Sequence, residues 1–417
     1  MAMFCPNCGG NLDGTEKFCP FCGHALEAPG GRSRPEATQA AGLGPVGPAA
    51  PPPAPGVSAS SRPAGDRPGG RSWRKLVVVL LAALVLGGIG AVWAAGFRSV
   101  DRHHHYDYDP DELPSHCLVE VATTGGARVV VSFSDDSSAP VAEFDLWERW
   151  WGAVTVGSPG VEFDESVPRV VRLSWDLGHV FGAQSSEILL TLNSRVNYSL
   201  SVVTDVGSVD VVASGVPGGV KFGRLSVETD TGSVRCMLDG AVASGGLFLS
   251  TNTGSVDLTA GAACQLSGGR FLSTNTGSVD VYLEECSLGG DALVNSSTGS
   301  TSLVARNVSL ALDQSWSVET GTGSIHVAWE QFEDLGASQA LSVVSNTGSV
   351  AFELRANEVW SDARVSWSAG GSSSVIVSGP FETDGSSLWC TTCSGSPHGL
   401  DVMLRSDLGS ASVSASA

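Results

Sequence analysis

Four cysteines open the chain: Cys5 and Cys8 form one Cys-x-x-Cys, and Cys19 and Cys22 form a second. A two-residue spacing lets both sulfurs of a knuckle converge on one ion, and four thiolates make a closed tetrahedral Zn²⁺ site. Gly9 and Gly23 follow the knuckles, where the backbone must bend so that amides point at sulfur. So short a piece has too little core to fold alone, and metal binding would supply its folding energy. A pair of disulfides is the rival reading, and a cytoplasmic setting disfavours it. His24 is adjacent but superfluous once four cysteines are counted. The expected cofactor is structural Zn²⁺ on Cys5, Cys8, Cys19 and Cys22; no catalytic residue is expected.

A second group able to hold a metal is His103, His104 and His105 with Asp107 and Asp109. The segment reads first as an exposed juxtamembrane stalk. Cys117, Cys236, Cys264, Cys286, Cys390 and Cys393 fall in the part expected to lie outside the cell, where disulfides persist. Trp147, Trp150 and Trp151 cluster with Phe144, as a core or as a carbohydrate-stacking patch. Asp210, Asp257 and Asp280 recur at one phase of a repeat and read as solvent-facing positions, a cation-binding row being the sharper alternative. The chain contains no G-x-S-x-G, H-E-x-x-H, Walker or dinucleotide fingerprint, so an enzyme is not expected.

These residues sit in a chain of 417 residues with 43 acidic and 23 basic side chains. Residues 1–97 hold eight basic and five acidic side chains, leaving 15 basic and 38 acidic for the remainder. Such an acidic large part argues against nucleic acid as its partner, because phosphate neutralisation needs Lys and Arg. Composition then cuts the chain. Residues 1–28 are Cys-rich. Residues 29–75 are mostly Pro, Gly, Ala and Ser, and read as a disordered linker. Residues 76–97 carry no charge, and 22 residues at about 1.5 Å each span roughly 33 Å, enough for a membrane helix. Arg62, Arg67, Arg71, Arg74 and Lys75 precede that span, whereas only Arg98 and Arg102 closely follow it. The positive-inside bias puts the N-terminus in the cytoplasm and residues 98–417 outside. Residues 98–116 would be the stalk, and residues 117–195 a β-rich region leading into the repeats.

From about residue 196 the chain repeats itself. TDVGSVDV starts at Thr204, TDTGSVRC at Thr229, TNTGSVDL at Thr251 and TNTGSVDV at Thr274; SSTGSTSL, TGTGSIHV and SNTGSVAF follow. The glycines of the Gly-Ser pairs are Gly207, Gly232, Gly254, Gly277, Gly299, Gly323 and Gly348, in steps of 25, 22, 23, 22, 24 and 25 residues. Degenerate copies follow near Ser374-Val375 and Gly409-Ser410. A period this short is too small for a propeller blade and lacks the leucine-rich pattern. One coil of short strands per repeat remains, stacked in parallel, with separate hairpins as the alternative. Val209 and Val211, Val256 and Leu258, and Val279 and Val281 would face inward. Stacking would also align Thr231, Thr253, Thr276, Thr298, Thr322 and Thr347, and beside them Asp205, Asp230, Asn252, Asn275, Ser297 and Asn346, in hydrogen-bonded ladders. Cys264 and Cys286, ten and nine residues after their glycines, would be near neighbours open to a disulfide. The expected fold class is mainly β: a β-solenoid (β-helix) over 196–417 with coils of 22–25 residues, plus a small zinc ribbon and one transmembrane helix.

Two resemblances add to this reading. Residues 4–26, with Phe4-Cys5-Pro6-Asn7-Cys8-Gly9 and Lys17-Phe18-Cys19-Pro20-Phe21-Cys22-Gly23, resemble the short zinc ribbons at the start of many prokaryotic membrane proteins. That resemblance implies structural ligands and no catalysis. The units T-x-T-G-S-V-x-V, over roughly residues 195–415, resemble the putative-adhesin family of bacterial and archaeal β-strand repeat proteins. It implies a β-helical surface domain and brings no catalytic residues. The expectation is a single-pass cell-membrane protein that displays its repeats for adhesion or binding of an envelope ligand. The alternative is an envelope-sensing or regulatory membrane protein whose zinc ribbon engages a cytoplasmic protein partner.

Overall fold

Strict alternation governs the large part of the chain. In most strands from Asn197–Val206 to Ala411–Ser416, alternate residues are buried and their neighbours face outward, so each such strand has one mostly apolar side to hide. The structure, a computed structural model, describes residues 3–4, 11–12 and 98–416, except 154–157, 167–168, 178–180, 357–362 and 391–398. Among the described residues the protein is mainly β, and no helix is long and apolar enough to cross a membrane. The linker over 29–75, the membrane helix over 76–97 and the ligands Cys5, Cys8, Cys19 and Cys22 lie outside the described residues. The chain divides into two units, Met1–Ser72 and Trp73–Ala417. In the first, Met3–Phe4 pairs antiparallel with Asn11–Leu12.

The second unit is built by parallel pairing across repeats. Lys221–Thr231 pairs with Leu247–Thr253, which pairs in turn with Arg270–Thr276, Ala292–Thr298, Gln314–Thr322 and Gln339–Thr347. After the corner, Val209–Val212, Val234–Leu238, Val256–Ala260, Val279–Glu284, Thr301–Arg306, Ile325–Gln331 and Val350–Ala356 form a second series. Each partner is the equivalent strand one repeat away, which makes the sheet solenoid-like and excludes separate hairpins. Val209, Val211, Val256, Leu258, Val279 and Val281 are all buried, as the alternation predicts. Larger side chains fill the interior towards the ends, among them Tyr198, Phe222, Phe352 and the pair Trp316 and Trp329, with ring centroids 6.0 Å apart. No single coil could bury these side chains; neighbours supply the cover.

The corner glycines fall in one column, for a reason beyond their positive φ. A Cβ on Gly277 would lie 1.8 Å from the Gly254 carbonyl oxygen, and one on Gly254 would lie 1.9 Å from that of Gly232. The same contact recurs at Gly232, Gly299, Gly323, Gly348 and Gly409. Each glycine Cα therefore rests on the glycine carbonyl of the coil before. That carbonyl also accepts a hydrogen bond from a buried hydroxyl. Thr229 donates to Gly207 (3.1 Å), Thr251 to Gly232 (2.8 Å), Thr274 to Gly254 (2.9 Å) and Ser296 to Gly277 (2.9 Å). Thr320, Ser345 and Ser406 continue the series. From Thr229 onward the locking hydroxyl is thus the first residue of each motif, not the third, where Thr231, Thr253 and Thr276 stand in register. The asparagine ladder does form in part: Asn275 Nδ2 donates to Asn252 Oδ1 at 2.7 Å.

Two expectations about the N-terminal boundary are corrected. Residues 98–116 are not simply a stalk. Arg98–Tyr108 is a strand paired antiparallel with Ala142–Ala153 from Arg98↔Gly152 to Tyr108↔Ala142. Its inward side is polar and aromatic, with Tyr108 buried and Tyr106 packed against the core, which is why the segment does not read as a strand. The parallel stack also starts before residue 196. His116–Ser134 pairs in parallel with Asn197–Val206 through its first half and with Val209–Val212 through its second. Arg169–Asp176 and Phe181–Asn193 pair with its other side. Antiparallel strands then cover this end, Gly160–Asp164 on Arg169–Asp176 and Ala142–Ala153 on Phe181–Asn193. At the other end Ser387–Cys390 covers Ala363–Ala369. Such covers shield parallel edges that a stack of coils would otherwise present, although Ser373–Val377 pairs only with Ala411–Ser416 among the described residues.

Candidate functional site

The outer faces of the coils carry the chemistry. On the first sheet the register places Ser226, Phe248, Phe271, Leu293 and Ser317 side by side, one per coil. Phe271 is 37% exposed, and the Arg224 guanidinium lies 4.4 Å from the Phe248 ring centroid. The parallel row is Glu228, Ser250, Ser273, Asn295 and Glu319. The result is an apolar stripe edged by hydroxyl, amide and carboxylate groups. Sequence reasoning missed it, although the matching Leu-Phe-Leu-Ser-Thr-Asn-Thr and Arg-Phe-Leu-Ser-Thr-Asn-Thr segments contain the signal.

On the second sheet, Asp210, Arg235, Asp257 and Asp280 form one row. It is not a uniform row of carboxylates. Arg128 donates to Asp210 through Nε (3.1 Å) and Nη2 (2.8 Å) and reaches Glu187 at 3.3 Å. Arg235 lies 3.9 Å from Asp257. Asp280 follows with its carboxyl held above the usual range, by burial first and then by the charge of Asp257. Arg128 and Arg235 pair with Asp210 and Asp257, so this is an ion-pair strip as far as Asp257, in keeping with the expectation of solvent-facing positions.

The histidine segment is gathered instead of extended into solvent. Alternation along Arg98–Tyr108 puts His103, His105 and Asp107 on one face, and antiparallel pairing sets them opposite Trp147, Asp145 and Glu143. Asp145 Oδ1 is 2.9 Å from His103 Nε2 and 2.9 Å from His105 Nδ1. His105 Nε2 is 3.1 Å from Asp107 Oδ2, and Glu143 Oε1 lies 4.0 Å from His105 Nδ1. The His103 ring stacks on Trp147 at 4.0 Å between centroids. The Asp145 hydrogen bond raises the His105 pKa above its ordinary value, ahead of a lowering by burial and a further rise from Asp107. Burial alone would push Asp145 up; the hydrogen bonds from His105 and His103 outweigh it and hold the carboxyl below its usual range. His104 and Asp109 do not join this group. Asp145 and Glu143 were missed because they arrive from a strand about forty residues later. The aromatic cluster divides: Phe144 is in the core, Trp147 is 43% exposed on the outer face, and the side chains of Trp150 and Trp151 lie outside the described residues.

The outer cysteines are distributed as follows. Cys264 and Cys286 are neighbours sharing a hydrogen bond, as their phase predicts, but both are free thiols. Cys117 and Cys236 are free and buried. Cys390 is disulfide-bonded, and Cys393 lies outside the described residues. Burial pushes the Cys117 thiol up to about 11, with Arg169 opposing it. None of these thiols shows the depressed pKa and exposure that nucleophilic chemistry requires, Cys286 being lowered by its bond with Cys264 yet fully covered.

No family model matches the chain, and no curated protein matches it. Solved structures that are similar in outline include a putative cell adhesion protein from Clostridium sporogenes, 9% identical with a TM-score of 0.24, covering 76% of this chain and 100% of that one. A putative adhesin from Bacteroides fragilis is 10% identical with a TM-score of 0.30, over 76% of this chain and 97% of that one. A putative adhesin from Parabacteroides merdae is 9% identical with a TM-score of 0.33, over 76% and 96%. The superpositions are loose, and nothing about this chain's activity follows from them.

Proposed function

We propose that the chain is a surface-binding β protein, anchored through residues 76–97, whose outer coil faces hold an extended ligand of the cell envelope. The observation that supports this is the stripe of Phe248, Phe271 and Leu293 beside a row of serine and asparagine. An apolar face stacks on flat or apolar ligand surfaces, while flanking hydroxyls and amides hydrogen-bond a polar rim. Repetition at strand spacing, about 4.8 Å, suits a polymer better than a single small molecule. In this reading Cys5, Cys8, Cys19 and Cys22 hold a structural zinc on the cytoplasmic side and take no part in binding. No catalytic step is assigned.

The test is binding of the purified full chain to intact cells and isolated envelope polysaccharides, measured by co-sedimentation. Phe271→Ser and Phe248→Ser together should reduce binding at least tenfold, and deletion of residues 1–28 should leave it intact. Equal binding by the double variant would sink the proposal, as would release of shortened sugar products, which would make the protein an enzyme.

A further inference from the structure

We infer that His105, Asp107 and Glu143 form a binding site for a divalent transition metal on the outer face of the strand pair Arg98–Tyr108 and Ala142–Ala153. One ligand atom from each of the three residues can be chosen so that all lie within 4.8 Å of one another. His105 and Asp107 alternate on one strand, and Glu143 stands opposite Asp107 on the other, so all three project from the same side of the sheet. A tetrahedral ion with bonds of about 2.0–2.2 Å needs donors roughly 3.3–3.5 Å apart. His105 Nε2 and Asp107 Oδ2 are already 3.1 Å apart, and the half-exposed Glu143 completes the set within 4.8 Å.

The surroundings fix the histidine as a ligand. Asp145 Oδ1 holds His105 Nδ1 at 2.9 Å, leaving Nε2 to face the ion. This is the carboxylate–histidine–metal relay that orients the ring and raises its basicity. Asp145 is itself held by His103 Nε2 at 2.9 Å, and His103 is backed by the Trp147 ring. Asp145 is therefore a positioning residue. The donor set is one imidazole and two carboxylates, which suits zinc and its borderline neighbours. Calcium prefers six to eight oxygens and would find too few here. Three protein donors leave a coordination position open to water or to an oxygen of a ligand. The site does not depend on what the phenylalanine stripe binds.

The experiment is equilibrium dialysis of the full chain against Zn²⁺, with Cys5, Cys8, Cys19 and Cys22 changed to serine so that the thiol site does not contribute. One Zn²⁺ per chain is expected. His105→Ala and Glu143→Gln should each weaken binding at least tenfold, Asp145→Asn by about tenfold through loss of the relay, and His104→Ala not at all. His105, Asp107 and Glu143 are exposed or half-exposed, so circular dichroism of the variants should match the parent; Glu143→Gln carries the test if His105→Ala misfolds. Absence of bound zinc in the serine-substituted parent, or equal affinity in the two ligand variants, overturns the inference.

Discussion

Gly277→Ala tests whether the corner column holds the coils together. The new Cβ would sit 1.8 Å from the Gly254 carbonyl oxygen and 2.6 Å from its carbon. Relief requires the two coils to part by more than about 1 Å at that corner, well beyond the range of a hydrogen bond near 2.9 Å. Three bonds cross the same gap: Gly254 N–H to Thr276 O and Val256 N–H to Ser278 O, both 2.9 Å, and Thr274 Oγ1 to Gly254 O, also 2.9 Å. Losing them costs about 1 kcal/mol each. Holding alanine at the φ of +145° seen for Gly277 adds about 1–3 kcal/mol. The sum is on the order of 4–6 kcal/mol. Gly215→Ala separates the two contributions, because Gly215 also has positive φ (+72°) but nothing lies within 4 Å of its added Cβ. It should cost about 1–2 kcal/mol from backbone strain alone. Urea denaturation of the full chain, followed by tryptophan fluorescence, measures the global loss. Hydrogen exchange at Val256 and Val279 tests whether opening starts at that corner. If the two variants cost the same, the contact between coils is not what selects glycine, and the account of the column fails.

Other outcomes follow from particular side chains. Thr274→Val removes the hydroxyl that satisfies the Gly254 carbonyl and should cost about 1–2 kcal/mol in urea midpoint analysis, whereas Thr276→Val, on the exposed row, should cost under about 0.5 kcal/mol. In metal-free protein the His105 imidazole should titrate above its ordinary value, and Asp145→Asn should bring it down by removing the leading cause; NMR titration reads both. Because that pKa is raised in the folded state, the stabilisation is complete below the unfolded value near 6.5 and fades as pH rises through the folded value. Native chain treated with iodoacetamide at pH 8 should leave Cys117 and Cys236 unlabelled, since burial disfavours both thiolates; labelling within minutes by mass spectrometry would contradict their placement. Arg270 is buried and donates to the carbonyls of Leu266, Gly289 and Gly290 and to Gln314 Oε1, so Arg270→Ala should lower stability by about 3–5 kcal/mol.

How far the sequence shows this fold depends on whether the signal is local. The glycine column is legible because the contact it makes tolerates no Cβ, so glycine recurs from Gly207 to Gly348 and again at Gly409. The inward valines are legible for a similar reason: in most repeat strands one face is largely apolar. The histidine site is not, because its two halves pair antiparallel across an intervening stretch that includes Val119, Val121, Val129 and Val131 of the buried core. Nor does Arg98–Tyr108 advertise itself, since its inward face carries His104, Tyr106 and Tyr108 in place of aliphatic residues.

The order of coils at the C-terminal end looks arbitrary until the hydroxyl lock is considered. Gln339–Thr347 pairs not with the next copy in sequence but with Leu400–Ser406, and Ala363–Ala369 packs on the far side of that strand. Both segments have the apolar alternation, and they differ at the Gly348 carbonyl. It needs a donor from whichever coil is laid on it, and Ser406 supplies one at 2.7 Å. The register puts Ala369 opposite Ser406, so the earlier segment carries no hydroxyl at that position. Gly409 then continues the column with its Cα against the Gly348 oxygen. The chain passes over one copy and returns, and the strand laid on Gln339–Thr347 is the one that carries the locking hydroxyl.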